Sequence, residues 1–490
     1  MRSPSREFVI SGSIGGEELS INVCAKGSAR RRFSGGRDHA VTERCNRQLR
    51  LRPRVSMVTD VDGRIALVHS ARWGERLDEL SAEEQAVLYE LGVAEQSESE
   101  LSARLGPEST LLSRLRAGGW LTVSYAYHDR VLVTVRPLGP YREPHPTGPP
   151  VEPLLSRFAV LRRDGDTLLL ESPRCRAAML VRDTEVMAVL HGLAARDPAP
   201  ASTLPAPVVA EIITELAWYG FVHEAGEDDR PDLTTEQWST HELWFHARSR
   251  EGFHDYPLGA TSWGAARYPP PPGRREPWPG PAVPLPTPDR TTLDGSFGAV
   301  LEARRSLRVP DGDNPLTLAQ LSEFLHWSAR VRWTTEASGQ ELTLRPSPSG
   351  GALHSLEIYP VVTSMSGLAP GMYHYDPFDH TLEPVPADPL ATAQLVQRTT
   401  AATGAPPPQV LLILAARFSR VMWKYQGMAY ALILKDTGAL MQTMYLVATA
   451  MNLAPCAIGA GDSDLFAQAT NLNPLEEASV GEFTLSSRAP

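Results

Sequence analysis

The chain has 490 residues and a mass of 53.5 kDa, more than one hydrophobic core usually organises, which excludes a single small fold and predicts two or three domains. Hydrophobic residues make up 42% and charged residues 21%, a composition that is typical of soluble globular proteins and excludes the disordered and fibrous classes. The 47 Lys and Arg against 57 Asp and Glu give a net charge of −10, so we expect neither a nucleic-acid partner nor a membrane partner.

The cysteines and the N-terminal sequence indicate the cellular compartment. No C-x-x-C pair occurs, so the sequence predicts neither a disulfide framework nor a zinc site, and we expect no metal. No secretory signal pattern and no apolar stretch of membrane-spanning length is present. We therefore expect a cytoplasmic protein with reduced cysteines, which are Cys24, Cys45, Cys175 and Cys456.

The N-terminal half contains an internal repeat. Residues 1–54 show little apolar periodicity and are predicted to be an irregular tail. Asp62-Gly63 recurs as Asp164-Gly165, displaced by 102 residues, and Gly119 pairs with Gly220 at a displacement of 101. Each copy has the order strand, Asp-Gly turn, strand, amphipathic helices and final strand. This order predicts two winged-helix-like modules, over residues 55–150 and 151–235.

The charges on the repeat bear on its role. A winged helix is most often a DNA-binding module, but neither copy concentrates Lys or Arg on its predicted helices. A peptide-binding or purely architectural role is therefore favoured. The acidic residues on these helices are Glu83, Glu84, Glu90, Glu211 and Glu215.

A helical segment and a proline-rich linker are predicted over residues 236–290. Ten prolines fall within residues 269–288, which indicates an extended linker or a wrapping strap. Residues 291–490 then alternate helices and strands, which predicts an α+β domain. Its predicted elements are a helix ending before Arg304, a helix from Leu318 to Ser328, a strand from Leu356 to Val362, a hairpin about Asp376 to Asp379, a strand from Gln409 to Ala415, a long helix from near Tyr430 and a last strand from Val480 to Leu485.

Three short clusters in this domain are candidates for ligand binding. The first carries three guanidiniums and a hydroxyl within five residues, donors suited to a phosphate or to a flavin edge. The other two are glycine clusters, which let the backbone approach a flat ligand closely. Taken singly, each is also typical of a solvated helix end or a tight loop. They are Arg304-Arg305-Ser306-Leu307-Arg308, Ser349-Gly350-Gly351 and Gly459-Ala460-Gly461.

Taken together and in this order, the clusters resemble the nitroreductase superfamily of FMN enzymes. The finer resemblance is to the SagB-type dehydrogenases, which oxidise azoline rings in peptides. The doubled module before the oxidoreductase domain is also similar to the longer members of that family. The resemblance runs from about Leu301 to the C-terminus and is carried by "EARRSLR", "PSGGALHSLEIYPVV", "PGMYHYDP", "WKYQGMAYALILKDTGALMQTMYLVATAMNLAPCAIGAGDSDLF" and "VGEFTL".

The resemblance implies FMN as cofactor and a role for each cluster. Arg304, Arg305 and Ser306 would hold the phosphate, and Arg308 would approach N1 and O2 of the flavin. Ser349 and Gly350 would lie against the ring as a contribution of the second subunit of a homodimer. Gly459, Ala460 and Gly461 would lie near the N5 and O4 edge. The basic residue that many nitroreductases use after the last strand is represented only by Arg488.

The resemblance also assigns catalysis to Lys424 and Tyr425. The chain has only three lysines among its 47 basic residues, so a lysine retained at this position is informative. Azoline oxidation needs a base for a ring proton, and lysine can lose its proton whereas arginine cannot. The alternative for Lys424 is an ordinary surface lysine before a helix. Lys435 is predicted to pair with Asp436.

Three functions remain open from the sequence. The first is an FMN-dependent dehydrogenase that oxidises azolines to azoles in a ribosomally made peptide or a related natural product, with oxygen as the expected final electron acceptor. Its partners would be the peptide and a cyclodehydratase. The second is a nitroreductase-like reductase of small molecules that uses NAD(P)H. The third is a non-catalytic scaffold of a peptide-modifying complex.

Overall fold

The chain divides into two compact units between Asp255 and Tyr256. A computed structural model describes residues 12–14, 17–19, 44–59, 64–69, 73–141, 143–195, 202–226, 233–236, 238–249, 254–288, 296–337 and 339–489. None of the helices in these ranges combines the length and the apolar character needed to span a membrane.

The first unit contains fourteen strands and seven helices in its described ranges. In chain order they are β1 (Gly12–Ile14), β2 (Glu17–Leu19), β3 (Asn46–Leu51), β4 (Val55–Thr59), β5 (Ile65–His69), β6 (Trp73–Leu77), α1 (Ala82–Val93), β7 (Gln96–Ser97), α2 (Glu98–Leu105), α3 (Leu111–Ala117), β8 (Leu121–Tyr127), β9 (Arg130–Pro137), β10 (Pro153–Leu155), β11 (Val160–Asp164), β12 (Thr167–Glu171), β13 (Ala177–Val181), α4 (Thr184–Ala195), α5 (Ala206–Trp218), β14 (Val222–Glu224), α6 (Leu233–Glu236) and α7 (Thr240–Arg248).

One antiparallel sheet joins strands from both repeats of the first unit. Its strand order is β11-β12-β13-β9-β8-β3-β7, while β4, β5 and β6 form a separate meander. Asn46–Leu51 belongs to this sheet, so this part of the predicted irregular tail is in fact a strand. Gly119 and Gly220 both have positive φ, 71° and 81°, which agrees with their equivalence in the repeat. Asp62 and Gly63 lie outside the described residues.

A buried ion pair links the helices of the two repeats. Arg116 of α3 donates to Glu215 of α5 at 2.8 Å, and His145 lies 3.0 Å from the same carboxylate. Burial acts against the charged form of Glu215, but the hydrogen bond from His145 and the charge of Arg116 lower its pKa. One of the acidic residues noted on the predicted helices therefore holds the repeats together.

The second unit contains eleven strands and six helices in its described ranges. In chain order they are β15 (Gly259–Ala260), β16 (Val283–Pro284), α8 (Phe297–Ala303), α9 (Leu318–Ala329), β17 (Trp333–Ala337), β18 (Gln340–Leu344), β19 (Leu356–Val362), β20 (Gly371–Asp376), β21 (Thr381–Pro384), α10 (Pro389–Thr403), β22 (Val410–Arg417), α11 (Phe418–Met422), β23 (Tyr425–Gln426), α12 (Ala429–Ala450), β24 (Leu453–Ile458), α13 (Ser463–Thr470) and β25 (Glu477–Ser487).

A seven-stranded antiparallel sheet with helices on both faces forms the core of the second unit. The strand order is β16-β21-β20-β19-β22-β25-β24. Alternate residues of β19 and β22 enter two different clusters, one containing residues of α9 and α12 and the other residues of α10 and α13. All seven residues of β19 are buried, which explains why the strand is apolar apart from Glu357, whose carboxylate lies 3.0 Å from His374.

Most predicted elements of the second unit are confirmed. The helices predicted before Arg304, at Leu318 and near Tyr430 are α8, α9 and α12. A Thr317 side chain caps α9 through reciprocal bonds with Gln320, which is why the helix begins there. The β17–β18 hairpin, β24 and the helices α10, α11 and α13 were not predicted.

The proline-rich segment is a strap that is bound to the second unit, which decides between the two predicted interpretations. We define the strap as residues 256–288. Arg420 donates to the carbonyl of Pro271 at 2.6 Å, and Arg275 forms an ion pair with Glu477 at 3.1 Å. The N–H of Trp278 donates to Glu383, and β16 of the strap pairs with β21. Proline supplies no N–H, so side chains of the domain hold much of this backbone.

Candidate functional site

The arginine cluster follows the C-terminal end of α8, and the cluster itself contains no acidic residue. Arg305 and Arg308 are exposed, and Arg304 is half-buried with its guanidinium 5.4 Å from the Tyr445 ring centroid. Within the described residues, none of the three guanidiniums pairs with a carboxylate. Three unneutralised guanidiniums in one short segment attract an anion such as a phosphate.

A hydroxyl pair fixes Ser306 beside this cluster. Ser306 Oγ lies 2.7 Å from the Tyr445 hydroxyl, which itself accepts a bond from the Ala457 N–H at 2.8 Å. Because Tyr445 accepts from Ala457, its own hydrogen is available for Ser306. The Ser306 hydrogen is then left to donate to a bound anion. Tyr445 therefore positions Ser306, a role that the sequence did not reveal.

A cleft of about 400 Å³ is lined by Met441, four residues before Tyr445 on α12, and by Ile458, which follows Ala457. The predicted glycine loop forms part of its wall, since Gly459 and Gly461 line it and Gly459, Ala460 and Gly461 are all exposed. A Cβ placed on Gly459 would meet nothing within 4 Å, so its backbone is open to a ligand. The other wall is one face of α12, formed by Tyr430, Leu434, Thr437, Gly438 and Met441.

Glu482 is a buried carboxyl on the same cleft that the sequence analysis missed. A Cβ on Gly461 would lie 2.2 Å from Glu482 Oε2, so the carboxyl is packed directly against that glycine. Burial raises the pKa of Glu482 to about 7, the Asp462 charge adds to the rise, and the Ser479 hydroxyl opposes it. The sequence around Glu482 predicted a strand, but nothing in it indicated that the carboxyl of Glu482 would be buried.

This carboxyl makes the stability of the protein depend on pH. The pKa of Glu482 is higher in the folded state than in the unfolded state, so the protonated carboxyl stabilises the fold. This contribution is fully present below the pKa of the unfolded state and is lost as the pH rises through about 7. We expect Glu482→Gln to match the wild type at about pH 4 and to exceed it by on the order of 2 kcal/mol at about pH 8. Thermal unfolding at the two pH values measures this, and a stability difference that does not change with pH would contradict it.

The second glycine cluster is anchored to α12 by Asp436. Ser349 Oγ donates to Asp436 at 2.6 Å, and the Gly350 N–H donates to the same carboxylate at 3.0 Å. Burial raises the pKa of Asp436, and these two donors oppose the rise. The predicted pairing of Asp436 with Lys435 is wrong, because neighbouring helix residues point in different directions. Asp436 fixes the turn of residues 349–351 instead.

Lys424 and Tyr425 lie against this same turn. A Cβ placed on Gly351 would lie 2.7 Å from the Tyr425 hydroxyl and 3.4 Å from Lys424 Nζ. Gly351 has a φ of 65°, in the left-handed region that favours glycine. Lys424 is half-buried, and its Nζ forms no ion pair with any described carboxylate. An amine and a phenol therefore meet next to an exposed glycine turn.

The strap holds the backbone of this pair. The Lys424 carbonyl accepts from the Ser262 N–H at 2.8 Å, and Tyr425 pairs with Ala260 between β23 and β15. A Cβ on Gly264 would lie 2.6 Å from Cδ1 of the Trp423 ring, so only glycine fits there. Residues before the predicted oxidoreductase domain thus position the candidate catalytic pair.

One chain does not bring all of the predicted site residues together. At 3.6 residues per turn, the cleft-lining residues of α12 and the residues that meet the turn, Leu432 and Asp436, are roughly 160° apart around the helix. Gly459 and Gly461 line the cleft, while Arg304 and Ser306 contact Tyr445, which lies on the same side of α12 as the cleft-lining residues. Ser349 and Gly350, with Lys424 and Tyr425, lie on the other side. The backbone of Arg488 forms an isolated antiparallel β-bridge with Pro310, which is two residues after the last arginine of the cluster.

Both units are similar to known proteins. Residues 301–484 match the nitroreductase family, and residues 154–255 match the cyanobactin oxidase ThcOx. A Methanocaldococcus jannaschii protein described as a nitroreductase, MJ1384, is 33% identical over 165 residues, which are 33% of this chain and 77% of that protein. The chain belongs to the nitroreductase family. The oxidoreductase class expected from the sequence is the class of this family.

Two further relatives of this nitroreductase are peptide-processing proteins. The microcin B17-processing protein McbC of Escherichia coli is 29% identical over 22% of this chain and 42% of its own length. The trifolitoxin-processing protein TfxB of Rhizobium leguminosarum bv. trifolii is 25% identical over 35% of this chain and 48% of its own length. The chain thus spans less than half of either relative. Together with the ThcOx match, they confirm the resemblance carried by the sequence motifs.

Proposed function

We propose that this nitroreductase-family chain is an FMN-dependent dehydrogenase that oxidises azoline rings to azoles in a ribosomally made peptide. The observation that carries the proposal is the Lys424–Tyr425 pair against the Gly351 turn. Reduction of a small molecule by NAD(P)H needs no such base, whereas removal of a ring proton does. The names of the two processing relatives and of ThcOx support a peptide-derived substrate.

The residues of the cleft side fit FMN. Arg304, Arg305 and Ser306 would hold its phosphate, because their donors have no competing carboxylate. Arg308 would lie at the pyrimidine edge, and Gly459, Ala460 and Gly461 would lie along the ring at the opening of a cleft of about 400 Å³. When bound, FMN supplies the acceptor for the hydride that leaves the azoline.

The Lys424 amine would remove the proton from the ring carbon. Loss of this proton to the amine, together with loss of the hydride, would convert the carbon–carbon single bond of the azoline to a double bond and the ring to an azole. Tyr425, whose hydroxyl lies beside the same turn, would orient the ring or pass the proton onward. Oxygen would then reoxidise the cofactor.

A homodimer completes this proposal. Ser349 and Gly350 would reach the cofactor from the second subunit, which agrees with their position on the far side of α12 from the cleft. Tyr430 and Leu434 are 40% and 38% exposed on the cleft face, apolar surface that a second copy would cover.

The first unit would bind the peptide or a cyclodehydratase partner. We retain the winged-helix-like interpretation of its two modules as part of this proposal. Glu83 and Glu90 both form ion pairs with the Arg104 guanidinium, with N–O distances of 2.8 and 2.7 Å, and Glu215 is buried. These charges serve the fold of the unit, which supports a role other than DNA binding.

The function is tested with the purified protein and an azoline-bearing peptide. Mass spectrometry should show the loss of two hydrogens per ring, and the matching azole peptide is the control. Oxidation of NAD(P)H with a small nitro compound, without azoline oxidation, would favour the reductase instead. A colourless protein that takes up no added FMN would favour the scaffold.

The strap gives a prediction for this activity. Gly264→Ala places a methyl group against Trp423 and should shift the neighbouring Lys424. A displacement of about 1 Å at a catalytic group costs up to roughly 10²-fold in rate, so we expect kcat to fall by one to two orders of magnitude. Turnover and the flavin spectrum measure this, with Gly148→Ala, where an added Cβ would meet nothing within 4 Å, as the control. Loss of bound flavin at unchanged kcat per flavin would contradict the assignment.

A further inference from the structure

Glu482 is a buried acid in the wall of the cleft, and the proposed reaction leaves it without a role. Only 5% of the residue is exposed, yet it lines the cleft and its carboxyl packs against Gly461. In the sheet, Glu482 lies directly opposite Ile458, the residue before the 459–461 loop. A titratable group therefore lies against the loop that is proposed to follow the cofactor ring.

No cation neutralises this carboxyl within the part of the chain that the structure describes. Asp462, whose charge acts on Glu482, is itself an acid and pairs with Arg398 at 3.0 Å. Burial and the charge of Asp462 raise the pKa of Glu482 to about 7, so both of its forms are present near neutral pH. The other elements packed around it bring no charge, since they contribute Tyr430, Thr437 and Met441 of α12, Ile413 of β22 and Ile458 of β24.

We propose that Glu482 takes up a proton when the cofactor at the cleft is reduced, and that it releases this proton when the cofactor is reoxidised. This inference rests on the proposed function, because it requires FMN at the cleft. It gives Glu482 a part separate from that of Lys424, which lies on the other side of α12.

The physical reason is repulsion between like charges. A hydride adds one negative charge to the cofactor ring. Two like charges about 6–10 Å apart, at an effective dielectric constant of about 20, change a proton affinity by roughly 10- to 100-fold. Glu482 faces the cleft without a cation to offset the added charge, so its protonation relieves the repulsion. By linkage, protonation of Glu482 favours reduction of the cofactor by the same factor.

The protons and electrons balance over one turnover. The azoline gives a proton to Lys424 and a hydride to the cofactor, while Glu482 takes a proton from solvent. Oxygen then accepts the hydride's two electrons, and the hydride together with one proton converts it to hydrogen peroxide. The proton released by Glu482 meets this demand, and the carboxylate returns to its starting form.

A potentiometric titration of the flavin-loaded protein between about pH 6 and 9 tests the proposal without any substrate. The slope of the midpoint potential against pH counts the protons taken up with two electrons. Near pH 8 the wild type should take up more than one proton, approaching two, whereas Glu482→Gln should take up one. At this pH the reduction equilibrium of Glu482→Gln should be about tenfold more favourable, which is about 30 mV for a two-electron couple. The two proteins should converge at about pH 6, where Glu482 is already protonated.

Asp464→Asn is the matched control. Asp464 is an exposed carboxylate beside the cleft-lining Ser463, so its removal changes the net charge equally and should keep the wild-type slope. Equal slopes in the wild type and Glu482→Gln would overturn the proposal.

Infrared difference spectroscopy supplies a second measurement on the wild type. Reduction at about pH 8 should produce the band of a protonated carboxyl, and this band should be absent in Glu482→Gln. A wild-type spectrum without the band would also overturn the proposal.

Failure of this inference is distinguishable from failure of the proposed function. A protein that binds FMN and oxidises the azoline peptide, but takes up one proton near pH 8, would overturn this inference alone. A protein that takes up no added FMN would overturn the proposed function and this inference together.

Discussion

Replacing Lys424 by alanine should leave FMN bound and reducible by dithionite while azoline oxidation falls by about 10²–10⁴-fold, the usual effect of losing a general base. Lys424→Arg should be almost as damaging, because the positive charge remains but arginine does not release its proton at physiological pH. Steady-state turnover per bound flavin measures both. Tyr425→Phe should slow the same step through loss of its hydroxyl alone.

Lys435→Ala is the matched control for this prediction. Lys435 is one of the few other lysines and is exposed on α12, next to the residue that anchors the turn. Its replacement should leave turnover unchanged. If Lys424→Arg instead retained near-wild-type turnover on a verified azoline substrate, Lys424 would act only by its charge, and Tyr425 would become the candidate base.

The double variant Arg304→Ala and Ser306→Ala should purify without flavin and with its fold intact. Hydrogen bonds to a charged group contribute about 1.5–3 kcal/mol each, so losing two of them should weaken FMN binding by roughly 10²–10⁴-fold. Neither side chain is part of the buried core, which is why the domain should still fold. The absorbance of the purified protein and titration with added FMN measure the change.

Arg332→Ala combined with Ser366→Ala is the control for the flavin-binding prediction. Both side chains are exposed on the second unit, away from the arginine cluster. This variant should keep its flavin. Full flavin occupancy in the Arg304 and Ser306 variant would remove these residues from the cofactor site.

Local sequence patterns were sufficient to predict the main frame of the second unit. The apolar runs at Leu356–Val362 and near Gln409 gave β19 and β22, and the long apolar stretch after Tyr430 gave α12. The strands β19 and β22 are covered on both faces, so burial constrains their composition along almost their whole length. Gly459 and Gly461 line one cleft, whereas the roles of the clusters around Ser306 and Gly459 in holding a cofactor stay predictions.

Residues whose roles depend on distant parts of the chain could not be predicted. Tyr445 acts on Ser306 across 139 positions, and Asp436 anchors a turn 87 positions away. Nothing near these residues in the sequence reports such partners. An acid within an apolar helix, such as Asp436, was the one available signal, and it was assigned to its neighbour. Helix periodicity assigns residues of α12 to different faces. It does not reveal that one face lines the cleft and another binds the turn of residues 349–351.

The strap shows that the second unit, as a structural domain, begins well before the region that matches the nitroreductase family. The nitroreductase match starts at residue 301, yet the backbone of Lys424 is held by Ser262 and that of Tyr425 by Ala260. A chimera joined at residue 301 would inherit the family motifs without the segment that supports the candidate catalytic pair. Recombination that exchanges working copies of this domain must therefore carry residues from 256 onward, 45 residues before the start of the family match at residue 301.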